Sequence, residues 1–290
     1  METKEIKPEW QCGLGAYRPV RMIDRIRILV VDAFMIGPVR AVLLCAICMG
    51  PVIFSCTQPP PHETMKSIKV SFTNIFFIPC EGGWLQIDVG YPGDYETYLA
   101  EVTKIGINPS DVRYLLLTHH HDDHAGFLKE FTQKHDVVVI LHEKALGGLA
   151  RGASEEDMRP VNGCVNAVFS VFSVFHGEFS FPPFMPRQKD LIISGDTGEI
   201  LKGIGIDGVI IATPGHTDDS ISVVLSDGSA FVGDVAMNFF GVCGIRHRPI
   251  YIKDIDQVYA SWDHLKEFGA TTIYSSHGEP FSASELVPVR

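Results

Sequence analysis

The sequence has little positive charge, too little cysteine for a disulfide scaffold, and no apolar run as long as a membrane-spanning helix. Lysine and arginine total 24 against 35 aspartate and glutamate residues, which gives a formal net charge of −11. An acidic chain repels polyanions at long range, so nucleic acid is not expected as a partner. Seven cysteines in 290 residues do not indicate a disulfide framework. The composition, with 46% hydrophobic and 20% charged residues, is typical of a globular protein.

Residues 1–64 differ from the rest of the chain and form a predicted N-terminal extension. They contain the apolar run AVLLCAICMGPVIFSC at 41–56, followed by the Pro-rich TQPPPHE, which looks like a linker. The run is shorter than the ~20 residues of a transmembrane helix, and its basic flank is typical of a signal peptide. Ile53 to Cys56 also resembles a bacterial lipoprotein signal. Two alternatives for the localisation are equally expected. In the first, the protein is exported and tethered to a membrane through residues 41–56. In the second, translation starts at Met65 and the enzyme is cytoplasmic.

After this extension, buried β-branched strands alternate with amphipathic helices. One predicted amphipathic helix ends at Gly106, and a second spans residues 160–176. Asp227-Gly228 between two apolar runs predicts a hairpin. The repeated strand–helix order predicts two sheets covered by helices on their outer faces. The fold class is therefore α/β (α+β), an αββα sandwich over residues 65–290.

The stretch LLLTHHHDDHAG, residues 115–126, places six candidate metal ligands directly after a buried strand. Imidazoles and carboxylates are the groups that bind Zn²⁺ and similar divalent ions. Loops that follow strands are also where open sheets place their sites. Alternate residues of an extended loop point the same way, so His119 and His121 can converge on one ion. Asp123 and His124, where the chain turns into a helix, would face a second ion.

The spacing HxHxDH resembles the signature of the metallo-β-lactamase superfamily, and the other motifs of that family follow in order. TPGHT contains His216, FVGD contains Asp234, and SSHG contains His277. Asp88, at the end of WLQID, matches the first motif of the family, an aspartate that supports the metal ligands. The resemblance covers residues 65–290 and implies the αββα metallo-β-lactamase sandwich.

The resemblance implies a centre with two Zn²⁺ ions, and Mn²⁺ or Fe²⁺ would suit the same ligands. It assigns three histidines to the first ion, an aspartate and two histidines to the second, and Asp234 as the bridge between them. In that order, the implied ligands are His119, His121 and His216, then Asp123, His124 and His277. His120 and Asp122 fill the variable positions of the motif and are expected to be loop residues or to support the ligands.

The chemistry that the resemblance implies is hydrolysis by a metal-bound hydroxide. Two zinc ions about 3.5–4 Å apart would lower the pKa of a shared water to about 7. Asp123 would hold the hydroxide and carry its proton to the leaving group, so Asp123 and Asp234 are the candidate catalytic residues. His121 stands where oxygen-reducing diiron relatives carry Glu, which favours hydrolysis over redox chemistry. The bridging Asp234 resembles glyoxalase II, lactonases and RNA-processing nucleases, whereas β-lactamases generally lack it.

Charge and ligand set together favour an ester, thioester or lactone as the small-molecule substrate. Residues 67–290 carry 16 basic and 29 acidic side chains, a balance of −13 that does not suit the docking surface of a nuclease. A phosphodiesterase or nuclease, a β-lactamase, and a non-catalytic metal-binding relative are the alternatives. Complete ligand positions argue against the non-catalytic relative. The sequence does not predict the oligomeric state.

Specificity is expected to reside in residues 143–190, a segment rich in phenylalanine. Phe172 and Phe175 fit a helix that packs on the sandwich. Three further phenylalanines lie beyond that helix in a Pro-rich loop. These side chains are equally expected to form the wall of a pocket for an apolar substrate or to pack in the interior. These candidate pocket residues are Phe179, Phe181 and Phe184.

The remaining cysteine and histidine side chains have no motif around them. Because Asp234 already occupies the bridging position, Cys243 is predicted to be a buried thiol rather than a metal ligand. The histidines outside the motifs are predicted to be ordinary surface or core residues: His62, His135, His142, His176, His247 and His264.

A chain that begins at Met65 tests the predicted domain boundary. We expect it to be soluble, to bind metal and to keep the activity of the full chain, because residues 41–56 have no periodic apolar partner in the domain. Size-exclusion chromatography and elemental analysis of both chains provide the measurement. Aggregation or loss of metal in the shorter chain would mean that residues 41–56 pack against the sandwich.

Overall fold

The computed structural model describes residues 65–155, 157–176 and 179–289, with the backbone alone for residues 171–176. The predicted extension at 1–64, including the run at 41–56, lies outside the described residues, so the domain boundary stays a prediction. Within the described ranges, no helix combines the length and the apolar character of a membrane span.

Strands and helices alternate along most of the described chain. The strands are β1 (Lys66–Val70), β2 (Thr73–Cys80), β3 (Gly83–Ile87), β4 (Val112–Leu116), β5 (Val138–His142), β6 (Arg159–Pro160), β7 (Leu191–Ile193), β8 (Gly208–Ala212), β9 (Ile221–Leu225), β10 (Ser229–Phe231), β11 (Tyr251–Ile252), β12 (Thr272–Tyr274) and β13 (Phe281–Ser282). The helices are α1 (Tyr95–Lys104), α2 (Asp122–Ala125), α3 (Leu128–Lys134), α4 (Leu146–Arg151), α5 (Gly163–His176), α6 (Glu199–Gly203) and α7 (Ile255–Glu267).

Two large sheets form the centre of the described part. The first has the strand order β1-β2-β3-β4-β5-β7, antiparallel from β1 to β3 and parallel from β3 onward. The second has the order β13-β12-β10-β9-β8 and is antiparallel except for the parallel pair β10 and β12. Strands β6 and β11 pair separately. Parallel pairs need crossover connections, and the helices supply several of them.

The alternation of side chains along β2 shows how the layers are arranged. Ile75 and Phe77 belong to the core cluster that also contains residues of α1 and α3. Phe76 and Ile78, on the opposite face of the strand, belong to a second cluster. That second cluster also contains side chains of β9, so it lies between the two sheets: Ile221, Val223 and Leu225.

Helices cover the outer faces of both sheets. Tyr98 of α1 and Phe131 of α3 are fully buried against the first sheet. Trp262 of α7 is fully buried in a third cluster with Val224 of β9 and Ile273 of β12, on the outer face of the second sheet. The order helix, sheet, sheet, helix confirms the predicted αββα sandwich.

Local signals explain where individual elements begin and turn. The helix predicted from residue 160 begins at Gly163, because the side chain of Asn162 accepts a hydrogen bond from the Val165 N–H at 2.9 Å. The predicted hairpin between β9 and β10 is present. Gly228 adopts φ 88° there, and a Cβ at that position would lie 2.3 Å from Thr271 Oγ1, so this turn requires glycine.

Truncation of Trp262 should weaken the outer layer of the second sheet. Trp262→Ala is expected to lower the free energy of unfolding by about 3–5 kcal/mol, because it leaves a cavity and removes the bond from Nε1 to the Val235 carbonyl. Urea unfolding monitored by circular dichroism provides the measurement. Phe268→Ala, at the end of the same helix and 40% exposed, is the matched control and should change stability far less.

Candidate metal centre

The candidate ligands follow strands of both sheets. The loop with the HHHDDH stretch comes after β4, and Asp88 comes directly after the adjacent strand β3. In the second sheet, the segments after β8, β10 and β12 contribute His216, Asp234 and His277, respectively. Because these strands end at the same edge of the sandwich, side chains that are far apart in sequence meet there.

Asp88 organises the ligand loop through hydrogen bonds with four donors. Its Oδ1 accepts from the Thr118 N–H at 2.8 Å. Its Oδ2 accepts from Thr118 Oγ1 at 2.8 Å, His124 Nδ1 at 2.8 Å and Ser276 Oγ at 3.4 Å. Asp88 is fully buried and adopts a left-handed backbone conformation with φ 61°. A buried carboxylate needs such donors to offset its lost hydration.

A first group of three imidazoles lies beside this loop. The atoms His119 Nε2, His121 Nδ1 and His216 Nε2 are each 3.1 Å from the other two. A point equally distant from all three is about 1.8 Å or more from each nitrogen, and zinc–imidazole bonds are about 2.0–2.1 Å long. The triangle is therefore of the right size for one metal ion.

For neutral rings, the outer hydrogen bonds of His119 and His216 leave lone pairs on their inner nitrogens. Thr118 Oγ1 donates to the Asp88 carboxylate, so it accepts from His119 Nδ1 at 3.1 Å. His216 Nδ1 donates to the Tyr251 carbonyl at 2.8 Å. Both Nε2 atoms are then acceptors that face each other at 3.1 Å. Two facing lone pairs repel each other unless a cation lies between them, which supports a metal site.

A second group contains two histidines and two carboxylates. His277 Nε2 lies 3.0 Å from Asp123 Oδ2 and 3.4 Å from Asp234 Oδ2. His124 Nε2 lies 3.4 Å from Asp234 Oδ1 and 3.6 Å from Asp123 Oδ1. Here too the outer nitrogens are occupied, because His124 Nδ1 bonds Asp88 and His277 Nδ1 donates to the Phe72 carbonyl at 2.9 Å.

The two groups differ in their electrostatics. Burial, with the neighbouring imidazoles, lowers the pKa of His119 and His121 well below the usual value, which favours the neutral, metal-binding form. Burial also disfavours a charged His277, but Asp234 and Asp123 outweigh it and raise the pKa of His277 to about 10. The carboxylates of the second group thus require positive charge beside them.

The structure brings all seven candidate ligands together in these two groups, each able to hold a metal ion. Asp234 connects them, because its Oδ2 lies 3.7 Å from His216 Nε2 of the first group as well as 3.4 Å from His277 Nε2 of the second. The donor set, neutral imidazoles with carboxylates and no thiolate, fits zinc and also Mn²⁺ or Fe²⁺.

His120 takes part in a third cluster that was not predicted. Asp219 Oδ2 accepts a hydrogen bond from the backbone N–H of His120 at 3.0 Å. The same oxygen lies 3.0 Å from Nδ1 of the His120 ring. Glu155 completes this cluster. Gly148 lies against the ring, where a Cβ would be 2.0 Å from His120 Cδ2. Asp219 follows His216 closely in sequence, but the sequence contains no signal that pairs it with His120.

A cavity of about 870 Å³ opens above the two groups. Phe179, for which a pocket wall and simple packing were both expected, lines it and is 45% exposed. Phe181 and Phe184 do not line it, because they are buried in the core beside α1 and α3. Sequence reasoning missed much of the apolar lining, which comes from segments distant from 143–190: Phe72, Phe239, Phe240 and Ile250.

The prediction of a buried thiol at Cys243 is wrong in one respect, because the side chain is buried but is not a thiol. Cys243 forms a disulfide with Cys164 of α5, 79 residues earlier in the chain. Their Cα atoms are 5.5 Å apart because Val165 of α5 and Ile245 of the later loop pack together in a small buried cluster. Tertiary packing of this kind leaves no local sequence signal.

Comparison with known proteins confirms the family. A family model described as the metallo-beta-lactamase superfamily matches residues 68–277, and the chain belongs to this superfamily. The chain is 24% identical over 206 residues to the Beta-lactamase-like protein 2 homolog of Caenorhabditis elegans, which covers 71% of this chain and 56% of that protein. It is 25% identical over 184 residues to the Probable metallo-hydrolase YflN of Bacillus subtilis (strain 168), covering 60% of this chain and 64% of that protein. The chain therefore spans less than two thirds of the length of either relative.

Solved structures of other proteins share the fold. A metallo-beta-lactamase from Cronobacter sakazakii superposes with a TM-score of 0.51 at 20% identity, over 73% of this chain and 76% of that one. An archaeal metallo-beta-lactamase superfamily protein from Sulfolobus tokodaii superposes with a TM-score of 0.50 at 20% identity, over 77% of this chain and 82% of that one. At this identity the likeness concerns the fold alone.

Replacing Asp88 with asparagine should weaken metal binding without removing any metal ligand. All four partners of Asp88 donate hydrogen bonds, so the amide group of the introduced asparagine would meet a donor in either orientation. We expect Asp88→Asn to lower metal affinity about 10–100-fold. Competition with a chromophoric chelator measures this, and Asp111→Asn, at an exposed position, is the control. Equal affinities in the two variants would contradict the role of Asp88.

Proposed function

We propose that this chain is a metal-dependent hydrolase that holds two zinc ions and cleaves esters, thioesters or lactones. The observation that carries the proposal is the pair of adjacent ligand groups connected by Asp234. Zinc ions held by these two groups would lower the pKa of a bound water to about 7 and would polarise the oxygen that gains charge. The name metallo-hydrolase carried by the Bacillus subtilis relative is in keeping with this class of reaction.

In this proposal the two carboxylates have different tasks. Asp234 is only 5% exposed and reaches both groups, so it is the proposed bridging ligand that compensates the charge of two close cations. Asp123 lines the cavity, and its side chain is 14% exposed. Its carboxylate is therefore the proposed group that holds a proton of the nucleophilic water and delivers it to the leaving group.

The character of the cavity supports an uncharged, partly apolar substrate. Among the described residues, no lysine or arginine lines the cavity. Its acidic side chains include Asp122 and Glu155, and much of the remainder is aromatic or aliphatic. A nuclease needs cations along the nucleic-acid backbone, and recognition of a substrate carboxylate favours arginine. An ester, thioester or lactone carbonyl requires neither.

Metal analysis combined with a substrate panel tests the proposal. We expect about two metal ions per chain, and hydrolysis of thioester, lactone or ester compounds in preference to phosphodiesters and β-lactams. The activity of the Asp234→Ala variant should fall by more than the ~100-fold that is typical when a residue supporting a metal ligand is replaced. Circular dichroism should show an unchanged fold. His135→Ala should retain activity, because His135 bonds Tyr95 and does not line the cavity.

Specific results would contradict this proposal. One metal ion or none after metal-replete purification would exclude the dinuclear centre. Preferred cleavage of a phosphodiester or of a β-lactam would contradict the proposed substrate class of esters, thioesters and lactones. Stable metal binding without any turnover would indicate a non-catalytic relative. Equal activity of the Asp234→Ala and His135→Ala variants would remove the assigned role of Asp234.

A further inference from the structure

One wall of the cavity is built from two segments that belong to neither large sheet. The first is α5, which contributes Val168 and Phe169. The second is the loop over residues 236–250, which contributes Phe239, Phe240 and Ile250. We call these two segments together the apolar wall. The metal ligands, by contrast, follow strands of the two sheets.

The apolar wall has little hydrophobic support of its own. Its core cluster has only three buried side chains among the described residues, which are Val165, Cys243 and Ile245. Val168, on the cavity side of α5, remains 40% exposed. The other side chains packed against this cluster are only partly buried: Val161, Phe169, Phe240 and Ile250. Among the described side chains, the buried hydrophobic contact between α5 and the loop is therefore small.

The Cys164–Cys243 disulfide joins the two halves of the apolar wall directly. A hydrogen bond from Asn162 Nδ2 to the Cys243 carbonyl at 3.0 Å lies beside it. Cross-linking two segments that are 79 residues apart in sequence removes conformational freedom that their packing alone would leave. The disulfide is therefore the strongest connection between α5 and the loop.

The apolar wall also contacts groups that hold the metal ligands. The Phe169 ring lies 5.7 Å from the Phe240 ring and 5.4 Å from the Tyr251 ring. The Tyr251 carbonyl accepts the hydrogen bond from His216 Nδ1. A substrate carbonyl at the metal centre would thus have its apolar portion directed against this wall.

We propose that the Cys164–Cys243 disulfide determines substrate specificity by holding the apolar wall in shape for a large apolar acyl group. This inference rests on the proposed function, because it assigns the acyl portion of an ester, thioester or lactone to the wall. A short acyl group reaches the metal centre without contacting the wall, whereas a long one gains its binding energy there. The disulfide therefore favours long acyl chains over short ones.

Esters of one alcohol with different acyl lengths test this inference. For the Cys164→Ser/Cys243→Ser double variant, we expect the ratio of kcat/KM for the decanoyl ester to that for the acetyl ester to fall about tenfold. The fall should come from KM of the decanoyl ester, with metal content unchanged by elemental analysis. Cys80→Ser, which removes the unbonded cysteine of β2, is the control and should leave the ratio as in the parent chain.

A second variant and a binding measurement keep the test independent of folding and of turnover. Phe169→Ala removes a side chain of the wall, leaves the disulfide in place, and should lower the same ratio. Calorimetric titration with decanamide, which has the same acyl chain and no charge, should show affinity reduced about tenfold in the double variant. If the parent chain hydrolyses no ester but binds decanamide in a disulfide-dependent way, the proposed function fails while the role of the wall stands.

Three results would overturn the inference. The first is mass spectrometry of unreduced peptides that finds Cys164 and Cys243 unlinked in the full chain. The second is an equal loss for decanoyl and acetyl esters, or a loss of metal, which would indicate general structural support. The third is an unchanged ratio in both the double serine variant and Phe169→Ala.

Discussion

The hydrogen bonds of the buried Asp88 carboxylate are the interaction on which the site depends. They tie the end of β3 to Thr118 in the loop after β4, and to Ser276 in the segment after β12. Strand ends from both sheets are thus fixed to one side chain. The same carboxylate sets the orientation of the His124 ring and, through Thr118 Oγ1, that of His119. Loss of this one acceptor would release two imidazoles at once.

The fold separates the ligands from the surfaces that surround a substrate. The candidate ligands follow short strands of the two sheets, and many side chains of those strands are fully buried. The two sheets therefore determine where the candidate ligands lie. The cavity walls come from helix α5, the loop over residues 236–250, and isolated side chains such as Phe72 and Phe179. Changes in these walls can alter what enters the cavity while the arrangement of the ligands stays the same.

Local sequence patterns were sufficient to predict the layers of the fold, and the motifs identified the candidate ligands that the structure brings together. The HxHxDH spacing, and the strand patterns before His216 and Asp234, are contained within short stretches of chain. The helix boundary at Gly163 was missed by three residues because the cap formed by Asn162 is a stronger signal than the apolar period.

Features that depend on long-range packing could not be predicted in this way. The disulfide joins residues 79 positions apart, and the contact between His120 and Asp219 joins two different loops. The positions of the phenylalanines in the Pro-rich loop could not be predicted either, because composition alone does not distinguish an aromatic ring in the core from one that lines a cavity. Phe181 is in the core and Phe179, two residues before it, lines the cavity.

The distribution of the candidate ligands over both sheets would have a thermodynamic consequence for the whole domain. His119 and His121 follow a strand of the first sheet, whereas His216, Asp234 and His277 follow strands of the second. An ion held by both sets acts as a cross-link between the two halves of the sandwich. The unfolded chain does not bring the two sets together, so binding and folding would be linked. A metal ion that bound only the folded domain, at about 1,000 times its Kd, would add about 4.1 kcal/mol to the free energy of unfolding. The melting temperature of this domain would then be a measure of the free metal concentration around it.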